Sequence, residues 1–315
     1  MQYQTFLTLL QELLSQRLHP LSKLSIQPIL KNNGLHLDAL CLTYPNDSVS
    51  PTIYANEYYD MFSSGKPLSE IVDEILHLFG EFQEISLPSL HSSFSFEQLR
   101  SHVAYRLIHT QMNTELLEKI PNVPFLDLSI VFYLYLNSPD HAPMSALIYT
   151  SHQETWGCTT QELFHLAMEN TPRLLPPVLS TLESVLSRII HTIPHAGSPF
   201  PDTMHLSSSS DHIPPSLYVL SNPLSYYGAS CILYPNILKK FADTLQKDIL
   251  LIPSSIHEFL LLPYETSFSY SSLHEMIVSV NQSSVSLEEQ LSDHAYLYLR
   301  QEDQIILPPS DPFPS

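Results

Sequence analysis

The sequence predicts an α+β protein, mostly antiparallel strands with packed amphipathic helices. Three observations carry that reading. Apolar residues recur at helical spacing in some windows and alternate in others. The alternating runs sit beside one another around turn residues, with Asn33-Gly34 the clearest hairpin signal. The 315 residues are 43% hydrophobic and 10% aromatic, enough to bury a full core.

Phe6, Leu9, Leu10, Leu13 and Leu14 form one stripe, so an amphipathic helix opens the chain. Leu24, Ile26 and Leu30 lead into Asn33-Gly34, and Leu35, Leu37, Ala39 and Cys41 alternate after it, which predicts a hairpin. A third strand is expected over 51–59. Pro67 suits the first turn of a helix that turns Leu68, Ile71, Val72, Ile75 and Phe79 inward. The aromatic and β-branched run 125–136 reads as one buried strand, and 146–150 as another. Thr159 and Glu162 form a capping box for a helix expected to stop near Asn170, because Pro172 disfavours helical geometry at Thr171. Leu179, Leu182, Val185, Leu186 and Ile189 predict a further helix.

Beyond residue 216 the pattern predicts strands at 217–220 and 229–233, then a helix presenting Ile237, Leu238, Phe241 and Leu245. Strands at 249–252 and 257–262 follow. A helix capped by Ser272 and Glu275 should turn Leu273, Met276, Ile277 and Val280 inward, before a last strand at 295–300. Between 191 and 216 the composition changes to Pro, Ser, His and Asp, as in a loop or linker. The expected organisation is an N-terminal α+β lobe (1–190), that segment, a C-terminal α+β lobe (217–307) and a disordered tail (308–315). No internal repeat is present.

Net charge is −19, from 13 basic and 32 acidic residues. So few cations cannot form a phosphate-tracking surface, which argues against nucleic acid and anionic membrane and for a protein partner. Only 14% of residues are charged, so the surface must be rich in neutral polar groups. Sixteen histidines would cancel much of the negative charge on acidification. Cys41, Cys158 and Cys231 are too sparse for a disulfide framework and suit a reducing compartment. The N-terminus lacks a basic n-region, and the longest apolar run, 123–136, is too short to span a bilayer and contains Asp127. The expected location is the cytoplasm.

Several runs carry a resemblance: Ser50-Pro51-Thr52-Ile53-Tyr54, Pro124-Phe125-Leu126-Asp127-Leu128, Glu169-Asn170-Thr171-Pro172-Arg173-Leu174-Leu175-Pro176 and Pro253-Ser254-Ser255-Ile256-His257-Glu258. Ser151-His152, Trp156-Gly157, 218–222 and Leu233-Tyr234-Pro235 add to it. They resemble a bacterial family of domains of unknown function met mainly in Gram-positive gut anaerobes. The resemblance spans roughly residues 6–307 and implies one integrated unit. From 217 onward the chain is more distantly similar to a second uncharacterised family, from bacilli. Neither resemblance brings a reaction, ligand or site residue.

The chemistry readable from the residues starts with exclusions. No two of the six glycines lie closer than Gly65 and Gly80, which rules out a Rossmann fingerprint, a P-loop and a G-x-S-x-G elbow. No cysteine pair has zinc spacing, and neither His257-Glu258 nor His274-Glu275 continues into H-E-x-x-H. No metal and no cofactor is expected.

Ser255, His257 and Glu258 supply the parts of a nucleophile–base–orienter relay, but on a strand Glu258 would face away, so a remote acid would be needed. The structural alternative is a Pro-Ser turn joining two strands. Arg173, after Asn170, could fork onto a ligand carboxylate, or equally pair internally or cap its helix. His191, His195, His205 and His212 could gather a metal, but Pro194 prevents a helical arrangement, and a solvated loop accounts for them. His102 and His109 would share a helical face. Trp156 suits burial at a turn. Tyr54–Tyr59 and Tyr226-Tyr227 suit either a contact surface or core packing.

Three functional readings remain, the third being an accessory protein of a mobile element or of phage defence. The leading one is a cytoplasmic, non-enzymatic interaction or regulatory protein presenting an acidic, Tyr-rich surface. The alternative is a hydrolase or small-ligand enzyme with an inter-lobe cleft, using His257, Ser255 and Arg173, which should then converge on one concave pocket.

Overall fold

The structure, a computed structural model, describes residues 1–43, 52–84, 95–138, 141–185, 217–266 and 268–308. The chain forms two compact units, Met1–Ser101 with Leu136–Met144, and His102–Tyr135 with Ser145–Ser315.

In the smaller unit, α1 (Tyr3–Arg17), α2 (Ala55–Ser63) and α3 (Leu68–Glu84) accompany an antiparallel sheet of β1 (Lys23–Leu30), β2 (His36–Thr43) and β3 (Thr52–Tyr54). Asn33 (φ 57°) and Gly34 (φ 71°) are consecutive left-handed residues, as a tight hairpin bend requires, and they set the register Leu30↔His36. The third strand is shorter than expected. The Asn56 side chain accepts the Asp38 amide at 2.8 Å, so a helix takes over where strand pairing stops. Phe6, Leu10 and Leu14 from α1, Leu40 and Leu42 from β2, and Ile71, Ile75 and Phe79 from α3 make a closed apolar core. Each contributes about 1.5–3 kcal/mol of burial. Tyr58 and Tyr59 belong to this core or pack against it. A short helix, α4 (Phe96–Leu99), follows.

The larger unit has two sheets. The first contains β4 (Val103–His109), β5 (Asn122–Phe125), β6 (Leu128–Ser138) and β7 (His141–Leu147), with β6 paired to each of the others; of these strands only the end of β6 and the start of β7, within Leu136–Met144, are assigned to the smaller unit. The helices α5 (Thr114–Leu117), α6 (Thr150–Trp156) and α7 (Thr160–Leu174) lie along the same stretch of chain. The second sheet uses β8 (Val178–Thr181), β9 (Tyr218–Ser221), β10 (Ile249–Ser255), β11 (Glu258–Pro263), β12 (Tyr296–Leu299) and β13 (Gln304–Ile306), in the antiparallel order β13-β12-β10-β11-β9-β8. Two helices, α8 (Ile237–Leu245) and α9 (Tyr270–Ser284), complete the unit. The α+β class and the antiparallel pairing agree with the sequence reading. The linker expected at 191–216 and residues 309–315 of the expected tail lie outside the described residues. The strands that flank the former, β8 and β9, pair with each other.

Five local expectations are corrected. The run 125–136 is not one strand: Leu126-Asp127 forms a two-residue turn, with Leu126 at φ 55°, between β5 and β6. Residues 146–150 split between the end of β7 and the start of α6. α7 continues through Pro172 to Leu174, because a proline near a helix end removes a single bond while Leu175 still donates to Thr171 at 2.9 Å. Val178–Thr181 is a strand, with helix beginning only after it, since pairing to β9 overrides the helical stripe. Residues Gly228–Leu233 form a 3-10 helix instead of a strand; five of the six are buried, and a continuously buried run has no alternation to mark its type.

A sixth concerns α9. Its cap is Ser269, whose hydroxyl accepts the Ser272 amide at 3.2 Å, one turn before the expected cap. The inward face is Ile277 with Leu273, while Met276 and Val280 are 48% and 46% exposed.

Candidate functional site

The larger unit gathers one arginine and four tyrosines. Ala104 pairs with Tyr133 and Arg106 with Val131 across β4 and β6. Cross-strand partners and alternate residues share a face, so Arg106, Tyr133 and Tyr135 stand on one side of this sheet. Tyr105 stands on the other, its hydroxyl donating to the Ser230 carbonyl at 3.1 Å.

The outer edge of β4 is held by α7. The Asn170 amide donates to the Val103 carbonyl at 3.1 Å, and the Thr171 hydroxyl accepts the Tyr105 amide at 3.1 Å. Arg173 donates to Asn170 Oδ1 at 3.2 Å. The pair expected as a ligand fork thus completes a strand edge: Asn170 serves β4, and Arg173 steadies Asn170.

Facing Arg106 is the loop from Ser221 to Gly228. The Asn222 side chain shapes it, accepting the Leu224 and Tyr226 amides at 3.1 Å each and donating to the Tyr226 carbonyl at 2.8 Å. Ser225 (φ 48°) and Tyr227 (φ 51°) are left-handed, a strained state for side chains of that kind. Gly228 is required by close approach: a Cβ there would lie 2.2 Å from Ser221 Oγ and 2.4 Å from the His257 carbonyl oxygen.

The loop lays its rings on the sheet. Tyr227 and Tyr133 meet edge to face at 5.2 Å, and Tyr226 and Tyr135 pack at a tilt at 6.1 Å. The Arg106 guanidinium stands 4.5 Å from the Tyr227 ring centre. His257 is parallel to Tyr227 at 5.9 Å, and its Nδ1 accepts the Tyr227 amide at 3.3 Å. Nε2 of the neutral ring therefore carries the proton, 3.6 Å from Glu289 Oε1. Tyr226 donates to Ser145 Oγ at 2.6 Å.

Among the described residues three polar atoms at this face have no hydrogen-bond partner: Arg106 Nε and the hydroxyls of Tyr133 and Tyr135. Tyr133 is 1% exposed and Tyr135 2%. Each such group costs about 1–3 kcal/mol when left unmade. Among the described residues Arg106 also has no carboxylate partner, in a chain holding 32 acidic side chains. Burial pushes the Tyr133 phenol far up, with Tyr226 and Tyr227 reinforcing and Arg106 opposing. Burial raises Tyr226 and Tyr135 as well. The phenols therefore stay protonated donors around one permanent positive charge.

Sequence reasoning missed Arg106. Its signal was a lone cation inside the apolar run 103–108, where charge is out of place unless it is paired or functional.

Ser255, His257 and Glu258 do not assemble a relay. Ser255 Oγ accepts the His257 backbone amide at 3.0 Å, and the Glu258 carboxylate accepts the Ser254 hydroxyl at 3.1 Å. The acid beside the imidazole is Glu289, which arrives from a remote segment.

A second polar cluster surrounds Asp127. Its Oδ1 accepts from Tyr296 at 2.6 Å, and its Oδ2 from Ser292 at 2.7 Å and His294 Nδ1 at 3.3 Å. His294 stacks on His274 at 5.1 Å. Every oxygen of this carboxylate is occupied, so the cluster ties the β5–β6 turn to the approach to β12. His109 Nδ1 accepts the Met112 amide at 3.1 Å, and His102 Nδ1 lies 3.2 Å from the Tyr135 carbonyl oxygen. Among the described residues no group of three or more His, Cys, Asp or Glu is arranged to hold a metal. His191, His195, His205 and His212 lie outside those residues. No helix among the described residues is long and apolar enough to cross a membrane.

No curated protein and no solved structure matches the chain. A family model described as a family of unknown function, DUF5688, matches residues 3–300 of the 315 and so takes in every described strand but β13, the Tyr226–Tyr227 loop and Arg106. The chain belongs to that family, DUF5688.

Proposed function

We propose that the protein is a non-enzymatic regulatory protein that responds to a small anion anchored by Arg106. The observation that carries this reading is the guanidinium without a carboxylate partner, set among buried phenol hydroxyls that have nothing to donate to. Buried donors without partners are rare in folded proteins and call for a missing acceptor. An anion supplies one beside the guanidinium, whose charge also bears on the Tyr133 phenol, and a net charge of −19 makes a retained cation site more pointed. The test is thermal unfolding and calorimetry with acetate, benzoate, inorganic phosphate and sulfate against wild type and Arg106→Gln. At least one anion should stabilise the wild type in proportion to its occupancy and leave the variant unmoved. Equal shifts in both proteins, or none in either, would sink the reading.

A second reading, a hydrolase built on His257, Ser255 and Arg173, is favoured by one observation. Glu289 stands 3.6 Å from His257 Nε2, so one ring nitrogen has a carboxylate beside it, and a relay would have to use Nδ1, which now accepts the Tyr227 amide. It requires Ser255 Oγ to leave the His257 amide. A fluorophosphonate probe should leave Ser255 unlabelled; stoichiometric labelling there would put this reading first.

A further inference from the structure

Resting on Arg106 as an anion anchor, we infer that the ligand is a monocarboxylate with an apolar or aromatic body, admitted behind the Tyr226–Tyr227 loop. The charge balance sets the head group. One guanidinium serves the site, and the groups that face it, Tyr133, Tyr135, Tyr226 and Tyr227, are neutral donors or ring faces. A single positive charge matches a monoanion, whereas a buried dianion would keep an uncompensated charge.

Geometry narrows it further. The Arg106 guanidinium carbon lies 4.5 Å from the Tyr227 ring centre, and a carboxylate meets a guanidinium at its edge, in the plane of its N–H groups. The unpartnered Nε lies on that edge. A planar carboxylate accepts two parallel N–H bonds there, and its remaining lone pairs suit the idle hydroxyl of Tyr133, which feels the Arg106 charge. The Tyr135 and Tyr226 rings, 6.1 Å apart, offer aromatic surface to the body of the molecule.

The loop supplies the entrance. The three unpartnered atoms are closed off from solvent, so a ligand reaches them only when something moves. Ser225 and Tyr227 hold left-handed backbone on the segment that covers them. Strain in the cover and idle donors beneath it both weaken the closed, empty form, and a carboxylate relieves the second.

The experiment titrates sodium benzoate, sodium acetate and inorganic phosphate into the full chain and its Arg106→Gln, Arg106→Lys, Tyr133→Phe and Tyr135→Phe variants. Benzoate should bind at least tenfold tighter than phosphate. Arg106→Gln should weaken it about a hundredfold, and Arg106→Lys should not restore it, because an ammonium lacks the fork. Tyr133→Phe should lose about tenfold in benzoate affinity, and both Phe variants should melt higher than wild type without ligand, since the idle hydroxyl is gone. The observed association rate should saturate as benzoate rises, with loop opening as the limiting step.

Phosphate binding as tightly as benzoate, lost in Arg106→Gln, would overturn the carboxylate class while leaving the anion reading intact. No Arg106-dependent binding of any of the three probes would remove both. Phe variants that melt lower and bind benzoate unchanged would make the phenols structural. An association rate linear to high concentration would take the loop out of the path.

Discussion

Gly228→Ala has a cost that follows directly from the close approach at that glycine. The new Cβ would sit 2.2 Å from Ser221 Oγ, 2.4 Å from the His257 carbonyl oxygen and 3.0 Å from the Asn222 amide nitrogen. Two of these three neighbours are backbone atoms held by β9 and the β10–β11 turn, so rotating a side chain relieves only the first. Overpacking of this kind costs about 1–3 kcal/mol. The methyl also stands between Ser221 and His257, whose hydrogen bond of 2.7 Å would break. A bond of that type contributes about 1 kcal/mol. The expected loss is therefore about 2–4 kcal/mol. Urea unfolding followed by the fluorescence of Trp156 reads it, because the single tryptophan lies in the larger unit. The Ser221→Ala/Gly228→Ala double variant should recover only part of the loss, since the His257 oxygen remains in the way. A Gly228→Ala midpoint within about 0.5 kcal/mol of wild type, or full recovery in the double variant, would refute the steric reasoning.

Thr171→Val keeps the shape of the side chain but strands the Tyr105 amide at the edge of β4, and it should cost about 1–3 kcal/mol in the same assay. Thr171→Ser keeps the hydroxyl and should cost about 1 kcal/mol for the lost methyl; a serine as damaging as valine would contradict the edge-capping role. Burial pushes the Cys231 thiol up to about 12 from an ordinary 9.0. Folding thus favours its neutral form: this contribution is full below pH 9.0 and is lost as pH rises toward 12. At pH 8 a disulfide reagent should modify Cys231 only on unfolding, and rapid native labelling would refute its burial. Burial holds His109 below the ordinary imidazole value of 6.5, against the pull of Asp127 and Asp293 and with a small contribution from His294. Its share of stability is present above pH 6.5 and is lost as pH falls below it. His109→Asn keeps an acceptor for the Met112 amide, so its melting temperature should drop less than that of wild type between pH 7.5 and 5.5.

The α+β class, the Asn33-Gly34 hairpin, the opening helix and the Thr159–Glu162 cap were all legible in the chain, because each is decided within a few residues. Hairpin bends need left-handed residues, caps need a short polar side chain, and amphipathic faces need a period. Elements whose type depends on a distant partner were not legible. Val178–Thr181 carries a helical stripe, yet it is a strand because β9 lies beside it. Residues 228–232 are continuously buried, and their 3-10 form goes with a glycine pressed against Ser221 and His257. The Ser255–His257–Glu258 run displayed the right residue types in the wrong geometry, since its hydroxyl and carboxylate bond locally.

The candidate site shows the same division. Composition showed that cations are scarce, and Tyr226-Tyr227 stood out as a pair. Only the tertiary structure placed them over Arg106 and left three buried donors without acceptors. Sequence by itself determined local conformation and the overall charge. The fold decided which polar groups are buried together and which lack a partner, because those depend on contacts between strands and loops more than a hundred residues apart.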